Sequence, residues 1–194
     1  MNFLKNIYGW TLQKAEHKNA KWYLSLISFA ESSFFPIPPD IILIPMALAS
    51  KSKALFYAFM CTISSVLGGI LGYAIGYFFY NSAGIHIVEF YHLENSFSAF
   101  ENYYKEFGIL IVLGAGITPF PYKFITIASG VFGLNIFLFI IISIIGRGLR
   151  FYLIAILLYF FGEKIKLFID KYFNILTIVF FILLVGSVFI IRFI

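Results

Sequence analysis

Five apolar segments make up most of the chain. They run over residues 22–50, 54–80, 107–134, 135–162 and 172–194. As an α-helix, the second segment would be about 40 Å long, enough to cross the ~30 Å hydrocarbon core of a membrane. The fourth and fifth are long enough to cross as well. The pattern therefore predicts spanning helices over 54–80, 135–162 and 172–194.

The first and third apolar segments are interrupted by prolines near their middles, in "FFPIPPD" and "ITPFPYK". Proline removes an amide donor and pushes the preceding residue out of helical geometry, so closely spaced prolines end a helix. The predicted helix breakers are Pro36, Pro38, Pro39, Pro119 and Pro121. The half-segments are too short to span a membrane. We therefore expect two re-entrant helical hairpins, over 22–50 and 107–134, with their tips inside the membrane.

The two hairpins form an internal repeat. Aligning Pro36 with Pro119 places Asp40 on Lys123, and each Pro-x-Pro-x-charge motif precedes a long apolar helix. Transporters often contain inverted repeats whose broken helices meet near the membrane midplane. A glycine recurs at every fourth position of the first spanning helix, at Gly68, Gly72 and Gly76. We interpret this small-residue stripe as a surface for close helix packing.

Composition supports a polytopic, all-α membrane protein. Apolar residues make up 61% of the chain and charged residues only 12%, and the mean hydropathy is +0.95. A soluble domain of this size needs a larger polar shell. Cys61 is the only cysteine, which excludes an intrachain disulfide and a cysteine-cluster metal site. We expect no metal, no cofactor and no nucleic-acid partner.

Charge along the chain predicts the orientation. Residues 1–21 carry four lysines among aromatic residues, which is typical of an amphipathic helix lying in the membrane interface. Lys51 and Lys53 follow the first hairpin, whereas the loop over 81–106 is acidic. Basic segments face the cytoplasm, so we expect a cytoplasmic N-terminus, an external loop and a bacterial inner-membrane location. The transport core would be residues 22–162, followed by a C-terminal spanning helix over 172–194.

The candidate chemistry lies in ionisable side chains within or beside the apolar segments: Glu31, Asp40, Lys123, Arg147 and Arg150. Each costs at least ~2.5–3.5 kcal/mol at the bilayer centre unless it is paired or faces water. The two arginines are three residues apart and share a helix face. Gly146 and Gly148 beside them leave room for a ligand to approach.

Three cations and two acids leave a surplus positive charge. An anion would neutralise this charge, and the planar fork of arginine suits phosphate. We expect Lys123, Arg147 and Arg150 to bind a phosphate headgroup, and Glu31 and Asp40 to relay protons or charge, with Glu31 the favoured proton carrier. We also expect Asp40 to approach Lys123 across the repeat axis. The alternative without a ligand is an internal salt-bridge network that only holds the hairpins together.

Several ordered motifs resemble the DedA family, also called the SNARE-associated or VTT-domain family. They are "FAESSFFPIPPDIILIPMALA", the glycine-rich helix, "GITPFPYKFITIASGVFGLN" and "GRGLRF", and the first is similar to the YqaA-like subgroup. The resemblance implies two opposed re-entrant hairpins and a role in moving lipids, such as undecaprenyl phosphate or phospholipids, across the membrane. Where many members carry an arginine in the second hairpin, this chain has "GAGITPFPYKF".

The favoured function is thus a lipid or lipid-phosphate flippase, with proton coupling as an option and a homo-oligomer compatible with the sequence. The alternative is a proton-coupled exporter of small cations or drugs, whose acids would bind the substrate. A lipid phosphatase is disfavoured because no Ser-His or metal-ligand spacing appears. A scaffold without transport activity would lose stability rather than activity when single charges are neutralised.

Overall fold

The computed structural model of the protein describes residues 19–34, 38–90, 94–118 and 120–191. Within these ranges the chain forms seven α-helices and no strand. They are α1 (Ala20–Ser33), α2 (Asp40–Ala49), α3 (Ala54–Phe79), α4 (Ile85–Phe90), α5 (Glu94–Ile117), α6 (Tyr122–Val131) and α7 (Ile136–Ile191). A 3-10 turn (Lys51–Lys53) precedes α3, and a π-helical turn (Tyr80–Gly84) joins α3 to α4. The predicted interfacial helix over 1–21 lies almost wholly outside the described residues.

Both predicted helix breaks are confirmed. The first separates α1 from α2, and Pro39 immediately precedes the first residue of α2. The second separates α5 from α6, and Pro121 immediately precedes α6. Pro38 lies in the described part of the first break, whereas Pro36 and Pro119 lie outside the described residues. A proline is well tolerated just before or at the first turn of a helix, where its missing amide donor is not needed.

The predicted polar loop over 81–106 is wrong as a description of the backbone. Helix α5 begins at Glu94 rather than near residue 107, and α4 covers part of the rest. The sequence there, "ENSFSAFENYYKEF", contains no proline or glycine. Within it, Lys105 forms an ion pair with Glu101 one turn earlier, at 2.6 Å between Nζ and Oε1. Hydropathy distinguishes membrane from water, but a polar stretch without helix breakers can still be helical.

Helix α7 differs from expectation in its length. It runs without a break through residues 163–171, which separate the two predicted apolar segments 135–162 and 172–194. The intervening "EKIKLFIDK" is charged but consists of residues that a helix accepts. The most apolar part of the helix that could cross a membrane is Ile136–Gly162.

The helix contacts repeat between the two halves of the chain. In the first half, α1 packs mainly on α3, while α2 packs mainly on α7. In the second half, α5 packs mainly on α7, while α6 packs mainly on α3. We call the two helices on either side of each break its arms. In each half, the first arm thus packs on the long helix of its own half, and the second arm packs on the long helix of the other half. Such an exchange is the packing expected for two copies of one unit.

The glycine stripe of α3 is a helix-packing surface, as predicted. A Cβ atom on Gly68 would overlap the carbonyl oxygen of Phe29 in α1, and one on Gly76 would overlap the carbonyl oxygen of Ile127 in α6. Gly72 lies between them and faces side-chain and backbone atoms of both helices. The missing side chains therefore let α1 and α6 approach the α3 backbone closely.

The outside of the bundle exposes many large apolar side chains, and Glu31 and Arg147 are buried inside it. Exposed leucine, isoleucine and phenylalanine side chains follow the outer faces of α3 and α7. Two helical segments, Lys51–Phe79 and Ile136–Gly162, are long and apolar enough to cross a membrane. Only 28% of the most apolar window of the second is buried, unlike a core helix of a soluble protein. Two buried apolar clusters fill the interior, one around Phe151 and one around Phe139.

We expect Gly68→Ala to destabilise the protein and Gly114→Ala to leave it as stable or slightly more stable. The first substitution inserts a methyl group into the backbone of α1, at a cost of about 1–3 kcal/mol for an overpacked core. The second meets nothing within 4 Å and gains the helix propensity of alanine. Thermal unfolding of both purified variants in the same detergent checks this, and equal midpoints would contradict the packing role.

Candidate functional site

The centre of the site is an ion pair between Glu31 and Arg147. Glu31 lies in the last turn of α1, and Arg147 lies near the middle of the apolar span of α7. The Arg147 side chain is fully buried and that of Glu31 is 9% exposed. The pair lies between the two apolar clusters, because Phe139 precedes Arg147 on α7 and Phe151 follows it. An arginine buried among apolar side chains requires such a carboxylate.

Two serines complete a ring of hydrogen bonds around this pair. Arg147 Nε donates to Ser65 Oγ of α3 at 2.6 Å, and the Ser65 and Ser32 hydroxyls are 2.6 Å apart. Ser32 Oγ donates to Glu31 Oε2 at 3.1 Å, and Arg147 Nη2 contacts the same oxygen. Each hydroxyl has one proton, so with Ser32 donating to Glu31, Ser65 is the donor to Ser32. Glu31 Oε2 therefore accepts at least two hydrogen bonds, as an ionised carboxylate does.

Two aromatic rings, one from α6 and one from α7 itself, pack against the guanidinium of Arg147. Its Cζ lies 4.8 Å from the ring centroid of Tyr122 in α6 and 4.9 Å from that of Phe151 in α7. The Tyr122 hydroxyl donates to Ser143 Oγ at 2.7 Å, which fixes the ring. Cation–π contacts strengthen when water is excluded. Arg147 is thus held by groups from α1, α3, α6 and its own helix.

Arg150 forms the second ion pair and connects the two helix breaks. Its Nη2 contacts Oδ2 of Asp40, the first residue of α2 after the first break. Its Nη1 donates to the carbonyl oxygen of Thr118 at 2.8 Å, where the backbone leaves α5 at the second break. One guanidinium therefore joins residues that lie at two proline-containing interruptions far apart in sequence.

A hydrogen bond also crosses between the arms beside these breaks. Thr126 Oγ1 of α6 donates to the carbonyl oxygen of Ser32, in the last turn of α1, at 2.9 Å. The last carbonyl groups of a helix lack partners within the helix. Side chains of the second half thus satisfy backbone groups at both breaks, because Arg150 does the same for Thr118. Backbone groups that are buried away from water need such partners.

The two ion pairs differ in exposure and in the hydrogen bonds left unmade. The Arg150 and Asp40 side chains are 12% and 17% exposed, whereas that of Arg147 is fully buried. Among the described residues, Asp40 Oδ1 and Arg147 Nη1 are buried without a hydrogen-bond partner. Asp40 therefore contacts Arg150 through one carboxylate oxygen, Oδ2, and its other oxygen, Oδ1, has no hydrogen-bond partner among the described residues.

The structure brings four of the five predicted charged residues together, but the predicted pair of Asp40 with Lys123 is wrong. Asp40 pairs with Arg150, and Lys123 Nζ lies 5.3 Å from the ring centroid of Phe124. Lys123 forms no ion pair with any described residue. Symmetry-equivalent positions need not touch, because each acid instead meets an arginine on the long helix of the other half.

The expected room beside Gly146 is also absent. Its Cα faces Gly116 of α5, and a Cβ on Gly116 would lie 3.1 Å from it, so another helix occupies this side. At Gly148, a Cβ would meet only Thr62 Cγ2, at 3.8 Å. Gly146 is therefore a helix-packing residue, and approach to the guanidinium groups is governed by other contacts.

Sequence reasoning missed the uncharged partners of the ion pairs, namely Ser32, Ser65, Tyr122, Phe151 and Thr118. Only the "ESS" of α1 gave a signal, as polar residues beside a carboxylate in an apolar segment. Within the described part of the chain, no group of three or more His, Cys, Asp or Glu residues is placed to hold a metal ion. The site is an organised pair of salt bridges.

Removing one member of the buried pair should destabilise more than removing both charges. Arg147→Met leaves Glu31 as a buried, uncompensated carboxylate, at a cost of about 3–5 kcal/mol. Glu31→Gln combined with Arg147→Met should recover much of this loss. Unfolding midpoints of the single and double variants in one detergent test it, with Lys105→Met as the exposed control. A double variant no more stable than Arg147→Met would contradict the pairing.

Comparison with known proteins finds two similar chains. A protein of Haemophilus influenzae, described as uncharacterized, is 38% identical over 165 residues, which cover 84% of this chain and 85% of that protein. A protein of Histophilus somni, likewise described as uncharacterized, is 35% identical over 164 residues with the same coverage. No family model matches the chain. No solved structure matches it. At this identity and coverage, the chain belongs to the same family as these two proteins of Haemophilus influenzae and Histophilus somni.

Proposed function

We propose that the protein is an integral membrane protein that moves a phosphate-bearing lipid headgroup across the bilayer. The observation that carries the proposal is the position of Arg150, which contacts both helix breaks while remaining partly exposed. Broken helices that meet around a polar site are how many transporters admit a charged group into the membrane. The resemblance to the DedA family supports the same function and is part of the proposal.

The distribution of polarity supports membrane embedding. The Glu31–Arg147 pair and several hydroxyl groups are buried inside the bundle, and large apolar side chains are exposed along the outer faces of α3 and α7, where lipid would contact them. In this setting α3 and the first part of α7 would span the bilayer, while α1–α2 and α5–α6 would enter as hairpins from opposite faces. The exchange of arms between the two halves is what such an inverted repeat requires.

The arginines and Lys123 fit an anionic headgroup. Lys123 lies in the first turn of α6, where no acidic side chain accompanies it and where the helix dipole disfavours a cation. An anion bound near the second break would relieve this. Arginine binds phosphate through paired N–H donors, and the lipid tails would stay in the hydrocarbon while the head crosses. A phospholipid or a polyprenyl phosphate such as undecaprenyl phosphate meets this description.

The alternative, export of small cations coupled to protons, has less support. Its substrate would need a free carboxylate in the bundle. Glu31 and Asp40 are each paired with an arginine instead. A cation would therefore have to displace a guanidinium from each acid before binding, leaving two arginines uncompensated at low dielectric.

Proteoliposomes with headgroup-labelled lipids test the proposal. We expect the protein to accelerate transbilayer movement of phosphatidate or undecaprenyl phosphate over that in protein-free vesicles, measured with and without a pH gradient. Movement driven only for a lipophilic cation would favour the exporter instead, and no acceleration of any lipid would refute lipid transport.

Arg150→Gln should slow this movement at least tenfold, and its loss of stability should be smaller than that of Arg147→Met, because the Asp40–Arg150 pair is less buried than the Glu31–Arg147 pair. Lys105→Gln is the matched control, since it removes an exposed cation from an ion pair of the same kind outside the site. Equal rates in Arg150→Gln and Lys105→Gln would contradict the role of Arg150.

A further inference from the structure

We propose that the two ion pairs have different roles: Glu31–Arg147 is a permanent brace, and Asp40–Arg150 is a latch that the phosphate group opens by replacing Asp40 on Arg150. The inference rests on the proposed function and specifies how its substrate is bound. It makes Asp40 an internal competitor of the substrate. It also assigns the phosphate monoester group to Arg150 rather than to all three basic residues.

The contacts of Arg147 exclude it from exchange. Its guanidinium donates to Ser65 and Ser32 as well as to Glu31, and the rings of Tyr122 and Phe151 pack against it. A phosphate could replace Glu31 there only by separating α1, α3 and α6 from α7. Helices α1 and α6 also pack closely on α3 at the glycine stripe, and α3 packs along α7. The cost of opening this pair is therefore the cost of opening the bundle.

The contacts of Arg150 permit exchange. It has two polar partners among the described residues, the Asp40 carboxylate and the Thr118 carbonyl. Its only described aromatic contact is weak, at 6.0 Å to the ring centroid of Phe151. Both partners lie at helix breaks, where the backbone is held by fewer helical hydrogen bonds than inside a helix. A phosphate offers several oxygens in the place of one carboxylate oxygen and satisfies the same donors.

The exposure of the pair gives the phosphate a route. Arg150 and Asp40 are partly exposed, whereas Arg147 is not. Asp40 contacts Arg150 through Oδ2 only, and Oδ1 is buried without a partner among the described residues. A carboxylate that uses one of its two oxygens is a weaker competitor than a bidentate one, which allows a doubly charged phosphate to displace it. When the phosphate leaves, Asp40 closes the latch again.

The decisive prediction is that Asp40→Asn strengthens phosphatidate binding rather than weakening it. The neutral amide no longer competes for Arg150, so this variant should bind dihexanoyl-phosphatidate about tenfold more tightly than the parent protein. Because release is no longer driven by the returning carboxylate, its lipid movement should also be slower. A salt bridge that only supports the fold predicts weaker or unchanged binding. Isothermal titration calorimetry in detergent measures the dissociation constants.

Glu31→Gln is the matched comparison. It neutralises the other acid of the site and should lower the unfolding temperature without tightening phosphatidate binding, since Arg147 stays enclosed. Tighter binding in Glu31→Gln than in Asp40→Asn, or no tightening in Asp40→Asn, would overturn the division of roles. Titration with inorganic phosphate shows whether the ligand is a free phosphate ion or a lipid headgroup. A response to it supports displacement by the free ion, and a response to phosphatidate alone supports the lipid headgroup.

A second measurement decides the matter if Asp40→Asn does not fold. Spin labels at Phe34→Cys and Ile117→Cys, in a Cys61→Ala background, place one exposed probe beside each break. In nanodiscs, the distance between the labels should lengthen when phosphatidate is added to phosphatidylcholine, because Arg150 then no longer connects the breaks. An unchanged distance would overturn the latch. Both readouts are independent of lipid flipping, so failure of the transport assay alone would refute the proposed function and not this inference.

Discussion

The packing of the bundle depends on partners for one charged group, the guanidinium of Arg147, which has no access to water. Arg147 is fully buried at the level where α1, α3, α6 and α7 come together, and leaving its charge uncompensated would cost about 3–5 kcal/mol, a large part of the stability of a typical domain. The carboxylate of Glu31, two serine hydroxyls and two aromatic rings supply the compensation. Each belongs to a helix that must be correctly placed, so the requirement of one side chain fixes the relative position of four helices.

The helix breaks make this compensation compatible with an apolar bundle. A continuous helix satisfies its own backbone and leaves no partner for a buried cation except side chains. Where α1 and α5 end, carbonyl groups become available, and Thr126 and Arg150 bind two of them. The prolines thus do more than shorten helices. They expose acceptors at the depth where the arginines lie, and the glycine stripe of α3 allows the broken arms to approach closely enough to use them.

Those parts of the fold that follow from local chemistry could be predicted from the sequence. Closely spaced prolines end a helix, so both breaks could be predicted. A charge within an apolar segment is easily recognised, so Glu31 and Arg147 could be identified as well. The pairing could not be predicted, because the repeat aligns Asp40 with Lys123 but the exchange of arms brings Asp40 to Arg150. The beginning of α5 was missed because its first turns are polar, and hydropathy does not report helicity.

The spacing of the two arginines on one uninterrupted helix has a mechanical consequence. Arg147 and Arg150 are carried by the same rigid turn of α7, so neither can move along the bundle without the other. With Arg147 fixed, α7 is the stationary member of any rearrangement. In the proposed function, the elements that would respond to a bound headgroup are the ten-residue α2 and the end of α5, which meet Arg150 from the other side. A conformational cycle in this protein would consist of movements of α2 and of the end of α5 relative to a stationary α7.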